Sequence, residues 1–285
     1  MRSELVSQFL RRARLRKASL ETPEQAMVYL VRATRNGLRR ENTIDNLLAH
    51  YQKRRNVVSV ATVSDLGCEG ALEPLGNSYA TGFKMMLNHN TNPGRRHFSS
   101  AHEICHTFFY ELVPEVKFAP HEEDQEEERL CNLGAAELLM PSSRVERSLS
   151  DNALCLDTLK QLSSEYSVTP TSMFLRLRSL GLWNAEYSEW YRMANGTFVL
   201  ERMYGAASFP WSWDDVTILS RVWTTQDSYF GDATVAYFDS EKIRRSKQIS
   251  YEVRRKGDRV VSLWGSKVRP PRKTPALQDS LPFLS

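Results

Sequence analysis

The sequence predicts an α+β protein with more than one domain, and three observations lead there. Over roughly the first 180 positions, apolar residues recur at spacings of three and four, with cap and stop signals around them. Inside that region His102-Glu103-Ile104-Cys105-His106 forms an H-E-x-x-H pattern just after a strand-like run. From Trp183 onward the helical spacing gives way to β-rich runs and turn residues, with Trp190, Trp211, Trp213, Trp223 and Trp264 among them. The 285 residues leave room for two modest domains, and 41% hydrophobic content supports an ordinary core. A net charge of +4 is only mildly basic, so it permits a nucleic-acid partner without implying one. No apolar run is long enough to cross a membrane, and no apolar segment follows the N-terminal arginines as a secretory signal requires. Cys68, Cys105, Cys131 and Cys155 form no C-x-x-C pair, which suits reduced thiols in a cytoplasmic protein.

Taken in order, residues 1–20 are basic with periodic Leu5, Phe9, Leu10 and Leu15, a helix lying on the core or on a partner. Thr22-Pro23-Glu24-Gln25 is a helix start, with Thr22 as cap and Pro23 in the first turn. Ile44, Leu47, Leu48 and Tyr51 place another helix over 43–54. Val57 to Ala61 is a short β-branched strand, Leu66-Gly67 and Glu69-Gly70 are turns, and Tyr79 to Asn88 is the next strand. Asn90 to Gly94 is a loop, and Arg95-Arg96-His97-Phe98 leads into the helix that carries the H-E-x-x-H pattern.

On that helix His102 and His106 leave the same face one turn apart, so both imidazoles can reach one metal ion. Glu103 lies about 100° around the helix, where its carboxylate can take a proton from a water activated by that ion. Phe98, Ala101, Phe108 and Phe109 imply a buried helix, in which two unpartnered histidines and a glutamate would be costly. A catalytic zinc takes three protein ligands and keeps an open position, so the chain must supply one more. Glu128 to Pro141 predicts a second helix, ended by proline, whose Ala135 and Ala136 allow close approach to the first. On it Glu128 is the candidate third ligand, and Asn132, one turn on, is placed to hold a histidine ring through its other nitrogen. Glu126 and Glu127 are rivals out of phase by one or two residues, and His121 is a further one. His121 or Tyr110 could instead donate to an oxyanion. Residues 82–87 are either an edge strand that pairs with an extended peptide or an ordinary inner strand.

These residues resemble the ImmA/IrrE metallo-endopeptidases: H-E-x-x-H, then after a loop E-x-x-C-N-x-x-A-A-x-L-L-M-P, with Arg95-Arg96-His97-Phe98 as a basic-aromatic lead-in. Cys131-Asn132-Leu133-Gly134-Ala135-Ala136 is most similar to the IrrE radiation-response branch, and Cys105 departs from the glycine or serine common there. The resemblance covers residues 25–182. It implies a zincin-like metallopeptidase domain, here residues 1–141, with His102, His106 and Glu128 on the metal and Glu103 as general base. The expected metal is zinc, with manganese as the alternative. The implied substrate is a helix-turn-helix transcriptional repressor, whose cleavage would release stress, DNA-damage or mobile-element genes.

Residues 142–183 carry Leu156, Leu159, Leu162, Tyr166, Val168, Met173, Leu175, Leu177 and Leu180 in two short helical runs around Ser167-Val168-Thr169-Pro170. They resemble a helix-turn-helix, with Arg176 and Arg178 as candidate phosphate contacts, and also the family's helical extension. The alternative function is therefore a regulator that binds DNA or a repressor without cutting it. Residues 184–266 read as a sheet-containing domain with strands over 197–200, 234–238, 248–253 and 259–264. In IrrE-type proteins this region is GAF-like, and Thr225-Gln226-Asp227-Ser228-Tyr229 resembles a stretch of it, which implies a sensor domain. The basic, proline-rich tail, residues 267–285, is expected to be disordered.

Overall fold

The computed structural model describes residues 4–35, 43–76, 78–113, 124–149, 153–205, 219, 222–224, 229–238 and 244–265. Helices and strands both make up large parts of it, as an α+β chain requires. Two compact units result: residues 1–147 with 163–176, and residues 148–162 with 177–285. The division runs through the 142–183 segment. Among the described residues no helix is long and apolar enough to cross a membrane.

In the first unit, the basic N-terminal segment is helix α1 (Glu4–Arg16). It lies on the core through buried Val6, Phe9, Leu10 and Ala13, and Phe9 stacks on Phe109 at 4.3 Å. Helix α2 (Pro23–Arg35) starts as its sequence dictates: Thr22 Oγ1 accepts from Gln25 N at 3.2 Å, and Gln25 Oε1 accepts from Glu21 N at 2.8 Å. Thr43 caps α3 (Ile44–Arg54) by accepting from Asn46 N. The sheet has β1 (Val57–Val63), β2 (Gly70–Pro74) and β3 (Phe83–Asn88) in the order β1-β3-β2, with β1 parallel and β2 antiparallel to β3.

Three sequence expectations change here. The run from Tyr79 to Asn88 is not one strand. Tyr79–Thr81 is a 3-10 turn, and Gly82 at φ 86° breaks the extension, with Asn56 O only 2.8 Å from where a Cβ would stand. Gly70, read as a turn residue, opens strand β2. The peptide-rail reading of residues 82–87 is also wrong, because β3 is the middle strand and both of its edges are already paired. Its alternation, with Phe83, Met85 and Leu87 buried, is that of an inner strand. The edge strand lying against the H-E-x-x-H helix is β2.

That helix is α4 (Pro93–Leu112), started by Asn92, whose side chain accepts from Arg95 N at 2.9 Å, and by proline at the first turn. Its C-terminal half is pinned by buried Arg55. Nε donates to Thr107 Oγ1 and Nη2 to Thr107 O, both at 3.0 Å, and Nη1 meets Glu111 Oε2 at 2.7 Å. Helix α5 (Gln125–Leu139) begins three residues earlier than expected, because Asp124 caps it by accepting from the backbone N–H groups of Glu126 and Glu127. Most of the acidic run's described part is therefore the first turn of α5, where carboxylates suit the helix dipole. Gly134 lets α5 approach α4 closely: a Cβ there would stand 2.6 Å from Cys105 Sγ and 2.9 Å from Met27 Sδ. Helices α6 (Ser142–Leu149), α7 (Leu156–Glu165) and α8 (Pro170–Ser179) follow, and Gly181 at φ 69° stops the last.

The second unit is built on an antiparallel sheet of β4 (Ala185–Arg192), β5 (Phe198–Tyr204), β6 (Tyr229–Phe238), β7 (Arg244–Lys256) and β8 (Arg259–Gly265), in the order β5-β4-β8-β7-β6. The four strand-like runs read from sequence fall on β5 to β8, and β4 is an addition. Asn195-Gly196 and Gly257 make the turns expected of them, both glycines with positive φ. Phe198, Leu219, Val222, Tyr251, Val253, Val260 and Trp264 form the core. His121, the 225–228 stretch, Trp211, Trp213 and the tail lie outside the described residues.

Candidate metal centre

Helices α4 and α5 bring three donors to one point. His102 Nε2 and His106 Nε2 lie 3.0 Å apart, and the Glu128 carboxylate reaches them at 3.1 and 3.3 Å. The opposite ring nitrogens are held by α5: His102 Nδ1 faces Asn132 Oδ1 at 3.1 Å, and His106 Nδ1 faces Glu127 Oε1 at 2.8 Å. An amide oxygen and a carboxylate only accept, so each Nδ1 is a donor. In a neutral ring that leaves the lone pair on Nε2. Two imidazole lone pairs and a carboxylate then converge, an arrangement that repels itself unless a positive charge sits among them. The donor set therefore fits a cation, and two imidazoles with one carboxylate is a recurrent zinc set.

The electrostatics of the site agree. Burial favours neutral His106, but Cys131, Glu127 and Glu128 outweigh it and hold its pKa well above the ordinary value. The hydrogen bonds from His102 and His106 hold the Glu128 carboxyl far below its ordinary range. Glu103 is 7% exposed, and burial pushes its pKa up, partly countered by His106 and His102. Its carboxylate lies against the first residue of β2: a Cβ on Gly70 would stand 3.0 Å from Glu103 Oε1.

His102, His106, Glu128 and Asn132 are thus brought together, with Glu103 beside them. Glu127, weighed only as a rival ligand, instead holds His106. The available signal was that a ligating His106 needs an acceptor at its second nitrogen, and Glu127 lies one turn before Cys131 on the face turned toward that ring. Glu126 is not in the convergent group. Tyr110, one turn past His106, packs its ring 5.2 Å from Phe83, and burial raises its pKa, so its hydroxyl keeps its proton. Arg176 is not available to phosphate: it is buried, donating to Met140 O at 3.0 Å and pairing with buried Glu137. The backbone leading into α8 also packs on α4, with His97 Nδ1 3.0 Å from Ser167 O. Both observations weigh against α8 as a DNA-reading helix.

Residues 73–178 match the family model described as the IrrE N-terminal-like domain, a peptidase family, in agreement with the resemblance seen in the motifs. The match supports the zincin-like fold and implies a metal and a protein substrate. No curated protein matches the chain. Among solved structures, a Mycobacterium tuberculosis transcriptional regulator is similar, with a TM-score of 0.52 and 15% identity over 92% of this chain and 79% of that one. At that identity the likeness is one of fold.

Proposed function

We infer that this chain is a cytoplasmic metal-dependent endopeptidase, with His102, His106 and Glu128 as the ligands of one zinc ion, manganese being the alternative. The observation that carries the reading is the convergence of those donors at 3.0 to 3.3 Å beside the Glu103 carboxylate. When bound, the cation supplies a Lewis acid that polarises the scissile carbonyl and acidifies water. Glu103 accepts the proton of the attacking water at its carboxylate and returns it to the leaving nitrogen. Asn132 and Glu127 fix the two rings through Nδ1. Strand β2, an edge strand among the described residues, would pair its outer edge with an extended substrate, whose backbone would then pass beside Glu103. The family resemblance supports a helix-turn-helix repressor as the substrate, and a GAF-like sensor role for the second unit, whose five antiparallel strands suit that reading.

Glu103→Gln keeps the shape of the side chain and removes the base. The expected outcome is a metal content equal to wild type with cleavage of a repressor substrate reduced by roughly a hundredfold or more. Cleavage at the wild-type rate would remove Glu103 from the base's role.

A further inference from the structure

His106 has a second set of donors on its other side. His106 Nδ1 meets Glu127 Oε1 at 2.8 Å, and one ring nitrogen of His106, a Glu127 carboxylate oxygen and Cys131 Sγ all lie within 4.8 Å of one another. Cys131 is fully buried between the helices, and Glu127 and Cys131 stand one turn apart on α5. We propose that these three groups form a second cation site, alternative to the first and selective for thiophilic ions such as cadmium, cobalt or excess zinc. A neutral imidazole presents one lone pair, so His106 serves one ion at a time, through Nε2 in the first set or Nδ1 in the second. Capture at the second set expels the protons of Sγ and Nδ1 to solvent and takes His106 out of the first set. The thiolate sets the selectivity: zinc and cadmium bind it well, whereas manganese, magnesium and calcium prefer oxygen. The site therefore makes the protein vulnerable to thiophilic metals and indifferent to hard ones at the same position.

The test uses the full chain, stripped of metal by chelation and titrated with cobalt(II), following the near-ultraviolet thiolate-to-cobalt absorption. This readout needs no cleavage, so it succeeds or fails independently of the peptidase reading. In wild type the band is weak, because the first set competes. In Glu128→Ala, with the first set broken, it is several-fold stronger and saturates at about one cobalt per chain. Cys131→Ser added to Glu128→Ala abolishes the band, whereas Cys68→Ser, which removes an exposed thiol, leaves it. Glu127→Gln in the Glu128→Ala background keeps the band but weakens cobalt affinity by at least roughly tenfold. No band in Glu128→Ala, or a band that survives Cys131→Ser, overturns the proposal. An unchanged affinity in Glu127→Gln removes that residue from the site.

Discussion

At the scale of single residues, the candidate site depends on atoms that the sequence motif does not mention. His102, Glu103 and His106 were legible because their spacing fixes their phase on a helix. Glu128 and Asn132 were legible from a second helix whose phase could be counted back from Pro141. Glu127 could be weighed only as a rival to Glu128, because sequence spacing cannot tell which side of an imidazole a neighbouring carboxylate approaches; in the fold it meets His106 Nδ1. Gly70 was invisible as a site residue: only the strand register puts its missing Cβ 3.0 Å from Glu103 Oε1, 3.2 Å from Glu103 Cγ and 3.4 Å from Ser99 Cβ. At those distances the glutamate must give by a few tenths of an ångström when a methyl group is added. Gly70→Ala is therefore expected to lower kcat about tenfold with KM little changed and metal content intact, since small displacements of a reacting group are costly. A wild-type kcat would show that Glu103 has room to move.

At the scale of elements, helices were easier to find than strands, for a physical reason. Thr22 is a local signal that acts on the next few backbone N–H groups, and it is found capping its helix as read. Thr43, Asn92 and Asp124 cap theirs in the same way, although Asn92 was read as loop and the start of α5 was placed at Glu128. A strand is defined by its partners, so Gly70–Pro74, a short run opening on glycine, carried no such signal. The middle position of β3 was likewise a property of pairing rather than of its own residues. The contact of α4 with α5 also depends on a matched pair, Cys105 on one helix and Gly134 on the other. Gly134→Ala gains up to about 1 kcal/mol of helix propensity but overpacks a filled interface at a cost of about 1–3 kcal/mol. The cost is larger because Cys105 Sγ, 2.6 Å from the new Cβ, is fully buried on a short side chain. A net loss of roughly 1–2 kcal/mol in urea unfolding is expected, largely recovered by adding Cys105→Ala. Unchanged stability of Gly134→Ala would mean that the helices separate freely.

At the scale of the whole molecule, the α+β class and the change of character near Trp183 were legible from periodicity and composition alone. The reach of the helix-turn-helix-like segment was not. Its hydrophobic spacing is the same whether it faces DNA or protein, and only burial shows Arg176 engaged with Glu137 and Met140. The central claim is that two helices of the first unit hold one catalytic cation between them. Its most direct test is the zinc content of the purified wild-type chain beside His106→Ala, which breaks both donor sets, and Glu128→Ala/Cys131→Ser, which removes one donor from each. About one zinc per wild-type chain and none in either variant is the expected result. A wild-type chain that takes up neither zinc nor manganese, or variants that keep the ion, would contradict it.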